Sequence, residues 1–162
     1  MIFLIAFSNT FSMAGTFSQL YVQVVFAVKD RQPLIENSWK EELHKYMAGI
    51  ITGKNQKSLI VNGMPDHIHA LVGLRPNLTV SDLVRDLKNN SSSFINDRKF
   101  LRGKFSWQEG YAAFSYGQSQ IKSVYEYILN QERHHKKRTF KEEYIALMQQ
   151  FQIEFNEKYV FD

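Results

Sequence analysis

Cysteine is absent from the 162-residue chain, which excludes disulfides and thiolate metal sites. Long hydrophobic runs are absent too. The strongest apolar stretch, Met1 to Phe7, falls well short of the roughly 20 residues that span a bilayer. No Lys or Arg precedes it, so it does not fit a secretory signal. Internal repeats, low-complexity tracts and long linkers are also missing. What is present is a chain with 44% hydrophobic residues, enough for one domain with a real core. Lys and Arg number 20 against 16 Asp and Glu, a net charge of +4 that admits a nucleic-acid partner without requiring one. With no membrane segment and no disulfide, a cytoplasmic location is expected.

Met13 opens a more ordinary start, Met13-Ala14-Gly15-Thr16. Residues 1–12 are therefore expected to be an upstream or disordered extension, and residues 13–162 a single domain.

Periodicity and turn residues order the elements. Gln19 to Val28, rich in Val, Tyr and Phe, reads as a strand. Ser38 with Glu41 forms a capping-box pattern and opens a helix through about Ile51. Leu59 to Met64 and His67 to Leu74 read as strands separated by the turn residues Pro65 and Asp66. Thr79 and Asp82 open a second helix, which the poor helix formers Ser91 to Ser93 are expected to weaken. Trp107 to Tyr116 is a fourth strand. Ser119 caps a helix through about His134, and Thr139 with Glu142 opens another to about Phe151. The order β-α-β-β-α-β predicts an α+β, ferredoxin-like antiparallel sheet with helices on one face and additional C-terminal helices. Many functions share that architecture, so it does not identify one.

His67 and His69 lie two apart on a strand and share a face, with Cα atoms roughly 6.5 Å apart. Two imidazoles at that spacing can converge on one divalent ion, or simply occupy the polar side of a strand. The triad hydrolases need a further His two residues on, where this chain has Leu71. Structural zinc needs four ligands, and the remaining histidines are His44, His134 and His135.

Eight tyrosines compete for attention. On the helix after Ser119, Ile121, Val124, Tyr125, Ile128 and Leu129 form an apolar stripe that places Tyr125 in the core. Tyr127 falls roughly 130° from the centre of that stripe, with Gln131 one turn above it on the same flank. That flank offers a phenol and an amide side by side; it also suits an amphipathic surface tyrosine. Downstream runs Arg133-His134-His135-Lys136-Lys137-Arg138, a solvated helix end or a phosphate-binding stretch. Arg85, Lys88, Arg98, Lys99, Arg102 and Lys104 form a second basic stretch.

Several motifs together resemble the single-tyrosine HUH transposases of small bacterial insertion sequences. They are Pro65-Asp66-His67-Ile68-His69, Trp107-Gln108-Glu109-Gly110-Tyr111, Tyr127-Ile128-Leu129-Asn130-Gln131 and His134 to Phe140. The resemblance runs from about Thr16 to Tyr144. It implies that His67, His69 and Gln131 hold a divalent metal, Mg²⁺ or Mn²⁺, and that Tyr127 is the nucleophile. It implies DNA contacts by Arg133, Lys136, Lys137 and Arg138. It also implies a homodimer in which the tyrosine helix of one subunit serves the histidines of the other. The expected substrate is single-stranded DNA bearing hairpins at the element ends, cut and rejoined through a 5′-phosphotyrosine. Two alternatives stand beside this. One is a non-catalytic single-strand-binding module, disfavoured by the absence of the Lys/Arg-Gly-Phe/Tyr-Gly/Ala-Phe signature. The other is a host-adopted DNA-nicking relative with the same chemistry.

Overall fold

Four strands carry the site: β1 (Leu20–Ala27), β2 (Lys57–Met64), β3 (His67–Leu74) and β4 (Ala112–Tyr116). They form one sheet in the order β2-β3-β1-β4, and every neighbouring pair is antiparallel. Helices α1 (Lys40–Gly53) and α2 (Val80–Asp97) supply the two crossovers, and α3 (Ile121–Leu129), α4 (Gln131–His135), α5 (Phe140–Gln150) and α6 (Glu157–Val160) follow β4. This computed structural model describes residues 15–160, so the expected extension at residues 1–12 lies outside the described residues. The ferredoxin-like α+β architecture is as expected. No helix among the described residues is long and apolar enough to cross a membrane.

Alternation on the strands produces two cores. On one face Val24, Phe26, Ile68, Ala70 and Val72 meet Leu43, Met47 and Ile51 of α1 and Leu83, Val84 and Leu87 of α2. On the other face Val25, Ala27, Ala112 and Phe114 meet Phe140, Tyr144, Leu147 and Met148 of α5. The second face is therefore roofed by α5 rather than open to solvent. Cross-strand register places His67 opposite Ala27 and His69 opposite Val25, so both histidines belong to the roofed face.

The helix ends show which local signals prevailed. Thr139 accepts from the Glu142 amide, and the Glu142 carboxylate accepts from the Thr139 amide at 2.7 Å, a complete capping box for α5. Thr79 caps α2 as its sequence implies, accepting from the Asp82 amide at 3.1 Å. Ser38 does not cap α1. The N-cap is Trp39, the Lys40 amide bonds the Glu36 carbonyl, and the Ser38 hydroxyl turns to the Glu36 carboxylate. Burial of the Trp39 indole in the core sets that turn. Helix α2 continues unbroken through Ser91 to Ser93. Ser91 is buried, donates to the Leu87 carbonyl and accepts from the Trp107 indole at 2.9 Å, so its hydroxyl serves the packing of a tryptophan.

The fourth strand is shorter than its sequence suggests. Trp107 makes only an isolated bridge to Val28 and packs edge-on against Phe26 and Phe105. Gly110, at φ 77°, breaks the extended run before Ala112.

Gly63 stands opposite Ile68 in the β2–β3 hairpin. A Cβ there would sit 2.1 Å from the His67 carbonyl oxygen, which is backbone and cannot yield. Gly63→Ala is expected to destabilise the fold by about 1–3 kcal/mol and to displace β3 at His67. A denaturant melt of the variant checks the first effect. An unchanged midpoint would show that the hairpin relaxes freely.

Candidate active site

Strand β3 delivers His67 and His69 to the roofed face because residues i and i+2 share a side, while Ile68 between them enters the other core. Both imidazoles are 0% exposed. Each is fixed through its Nδ1. Asp66 Oδ1 lies 2.7 Å from His67 Nδ1, the carboxylate–imidazole pairing that holds a ring with Nε2 facing inward. Gln23 Nε2 lies 2.7 Å from His69 Nδ1, and Gln23 Oε1 in turn accepts from the Tyr116 hydroxyl at 2.7 Å. Phe140 stacks on the His67 ring at 4.1 Å between centroids.

The expected single helix through His134 is two helices. Helix α3 ends at Leu129, Asn130 leaves helical geometry at φ −96°, ψ 26°, and α4 starts at Gln131. Asn62 of β2 accounts for the break, donating to the Ile128 carbonyl at 2.8 Å and the Leu129 carbonyl at 3.3 Å. Gln131 is thereby turned into the interior, where its Oε1 lies 3.2 Å from His67 Nε2. Tyr127, half-buried on α3, stands with its ring 6.3 Å from that of His69 and stacks on His134 at 4.6 Å. The tyrosine helix thus reaches histidines of its own chain.

The apolar stripe of α3 lies differently from expectation. Ile128 is fully buried, but Tyr125 is 38% and Leu129 54% exposed. The face turned inward is Val124, Tyr127, Ile128 and Gln131, because the sheet edge that α3 covers offers Asn62 and the histidines as well as apolar surface.

Glu143 of α5 sits at the centre of this group, and sequence reasoning passed over it. Its Oε1 lies 3.3 Å from His67 Nε2, 2.9 Å from His69 Nε2 and 3.2 Å from His135 Nε2. Its Oε2 accepts from the Tyr127 hydroxyl and from Gln131 Nε2. One signal could have found it. Phe140, Glu143, Tyr144, Leu147 and Met148 follow the spacing of a buried helical stripe, and only one of them is acidic. Gln23, a lone amide in the apolar run of β1, is marked in the same way.

Burial works against the charge on Glu143, yet hydrogen bonds from His135, His67 and His69 outweigh it and hold the carboxyl well below its ordinary range. Burial lowers His69. For His67 burial acts in the same direction, but Asp66 and Glu143 overcome it and raise the ring. Burial first, and then the Glu143 carboxylate, push the Tyr127 phenol upward, so it rests protonated.

The donor set fits a divalent cation. His67 Nε2 lies 3.2 Å from Gln131 Oε1 and 3.3 Å from Glu143 Oε1, so a cation that displaced its Nε2 proton would meet a ring lone pair and two oxygens at one point. Two imidazoles, an amide oxygen and a carboxylate suit Mn²⁺ or Mg²⁺. Ligand atoms of His67, His135 and Glu143 lie within 4.8 Å of one another, a cluster able to hold a metal ion.

A cleft of about 420 Å³ opens beside Tyr127, lined also by Tyr116, Ser123, Arg138, Glu143 and Gln150. Arg133, Lys136, Lys137 and Arg138 are all exposed on or just beyond α4. In the second basic stretch Lys99, Arg102 and Lys104 are exposed. The rest of that stretch is engaged within the protein: Arg85 pairs with Asp82 and Asp86, Arg98 with Glu42, and Lys88 with backbone carbonyls.

Relatives match both the sequence and the fold. Transposases for the insertion sequence element IS200 from Salmonella typhimurium and Salmonella typhi are each 28% identical over 125 residues, covering 74% of this chain and 82% of theirs. A crystal structure from Deinococcus radiodurans described as a transposase superposes with a TM-score of 0.60 at 22% identity, over 74% of this chain and 96% of that one. A REP-associated tyrosine transposase bound to a REP hairpin superposes with a TM-score of 0.56 at 13% identity, over 72% of this chain and 68% of the other. The family model described as "Transposase IS200 like" matches residues 16–131, from just before β1 to the first residue of α4, and the chain belongs to that family.

Proposed function

We propose that this transposase cleaves and rejoins single-stranded DNA at hairpin-marked element ends, with Tyr127 as nucleophile and a divalent metal held by His67, His69 and Gln131. One observation carries the reading: residues 64 positions apart, His67 and Gln131, meet at 3.2 Å, with Tyr127 one turn before Gln131 and next to His69. Fold alone does not require that meeting.

Tyr127 Oη would attack the scissile phosphorus, releasing a free 3′-OH and leaving a 5′-phosphotyrosine. A second 3′-OH would then displace the phenol oxygen and seal the strand. Each step exchanges one phosphoester for another, so no nucleotide triphosphate is needed. A divalent ion, when bound, supplies polarisation of the phosphate and orients it for in-line attack. Asp66 and Gln23 keep the two rings aimed inward. Phe140 and α5 exclude water from His67. Arg138 lines the cleft beside the tyrosine, and Arg133, Lys136 and Lys137 extend the positive surface for the DNA backbone. The homodimer belongs to this proposal, with the half-exposed Tyr125 and Leu129 of α3 available to a second copy.

The neighbouring transposase structure is bound to a REP hairpin, which favours a hairpin-bearing substrate here. A binding module that stacks bases on an open sheet face is disfavoured, because α5 covers the face that carries the histidines. The test is cleavage of labelled single-stranded DNA carrying the hairpins that flank the gene. Cutting is expected with Mn²⁺ or Mg²⁺ and not in EDTA. Binding without cutting under either metal would support the binding module instead.

A further inference from the structure

Glu143 has no place in the His67, His69 and Gln131 set, yet it contacts every member of it. Ligand atoms about 2.1 Å from a common ion and at right angles to one another stand about 3 Å apart. The separations of Glu143 Oε1 from His69 Nε2, 2.9 Å, and from His67 Nε2, 3.3 Å, are of that size. So is the 3.2 Å between His67 Nε2 and Gln131 Oε1. Among the described residues, the cluster of His67, His135 and Glu143, whose ligand atoms lie within 4.8 Å of one another, contains the carboxylate as well. The carboxylate is 1% exposed, a burial that needs the donors converging on it or a cation in their place. Its position is built in: the Thr139–Glu142 capping box fixes the start of α5, and Phe140 and Tyr144 anchor the same helix face in the second core.

Resting on the metal reading above, we propose that Glu143 is a further ligand of the catalytic ion. It supplies the negative charge that two imidazoles and an amide lack, and its second oxygen positions the Tyr127 hydroxyl beside the ion. Helix α5 then ties nucleophile and metal together through one side chain. A hard divalent ion gains affinity from an anionic oxygen, and the Oε2 contacts to Tyr127 and Gln131 leave Oε1 for the metal side.

Mn²⁺ binding by the full chain, read as loss of the free-ion electron paramagnetic resonance signal, tests this without reference to activity. Glu143→Gln is expected to weaken Mn²⁺ binding by about 10–100-fold. Its folded circular dichroism spectrum in EDTA should be retained. His69→Ala is expected to weaken binding at least as much. If Glu143→Gln binds Mn²⁺ as tightly as wild type, or more tightly, while His69→Ala does not, the carboxylate merely fills the site in the ion's absence; this proposal falls and the metal reading stands. If the wild type itself binds neither Mn²⁺ nor Mg²⁺, both fall. Should Glu143→Gln fail to fold, Glu143→Asp keeps the charge but withdraws it by one methylene, and unchanged Mn²⁺ affinity in that variant would equally overturn the assignment.

Discussion

Tyr127→Phe is expected to bind hairpin-bearing single-stranded DNA with near wild-type affinity and to form no covalent complex with it. The substitution removes one oxygen from a half-buried ring. That oxygen donates to Glu143 Oε2 and also interacts with the Gln131 side chain, and the stacking of ring 127 on His134 is kept. The basic residues beyond α4 are untouched, so the electrostatic part of binding persists. Covalent catalysis has no substitute for the missing oxygen, and strand cleavage should fall by at least about 10³-fold. Gel-shift and denaturing-gel assays on the same samples separate the two effects. Residual adduct in the variant would place the nucleophile elsewhere.

The second large effect is expected from the histidines. His67→Ala removes the ring on which Asp66, Gln131 and Glu143 converge, and His69→Ala removes the partner of Gln23 and Glu143. Either leaves too few ligands to hold the ion, and cleavage should fall by at least about 10²-fold. Asp66→Asn keeps the shape but loses the charge that orients His67, and a smaller loss of about 10–100-fold is expected. Single-turnover rates across a Mn²⁺ titration distinguish weak binding from a misplaced phosphate, since only the former is rescued by more metal. Unimpaired cleavage by His67→Ala would contradict the metal assignment.

Sequence patterns were most legible where one local interaction decides the outcome. The boundaries of β3 follow directly from Pro65-Asp66 and the alternation after it, and the capping box at Thr139 forms as its residues imply. Patterns misled where a tertiary contact overrode the local one. Ser38 and Glu41 match a capping box as well as Thr139 and Glu142 do, but the buried Trp39 indole sets the α1 turn. Ser91 looks like a weak point in α2 until Trp107 is seen to need its hydroxyl. The break at Asn130 depends on Asn62, a residue 66 positions from Ile128, and no helical periodicity contains it. Tyr125 illustrates a further limit: hydrophobic spacing finds an apolar face but does not say how much of it the neighbouring sheet edge covers. At the site, the histidine pair could be read because a strand fixes which residues share a side. Glu143 lay inside an apolar stripe, where an acidic residue signals a buried partner, and its partners include His67 and His69 of β3, more than 70 residues earlier, as well as Tyr127, Gln131 and His135 nearby in sequence.

The most direct test of the account is to locate the covalent bond. Wild-type protein would be reacted with a hairpin substrate whose downstream strand cannot religate, then digested and examined by mass spectrometry. The account predicts a nucleotide linked through a 5′-phosphate to the peptide carrying Tyr127. Attachment at another tyrosine, such as Tyr116 in the same cleft, or a cut strand with no protein attached, would contradict it.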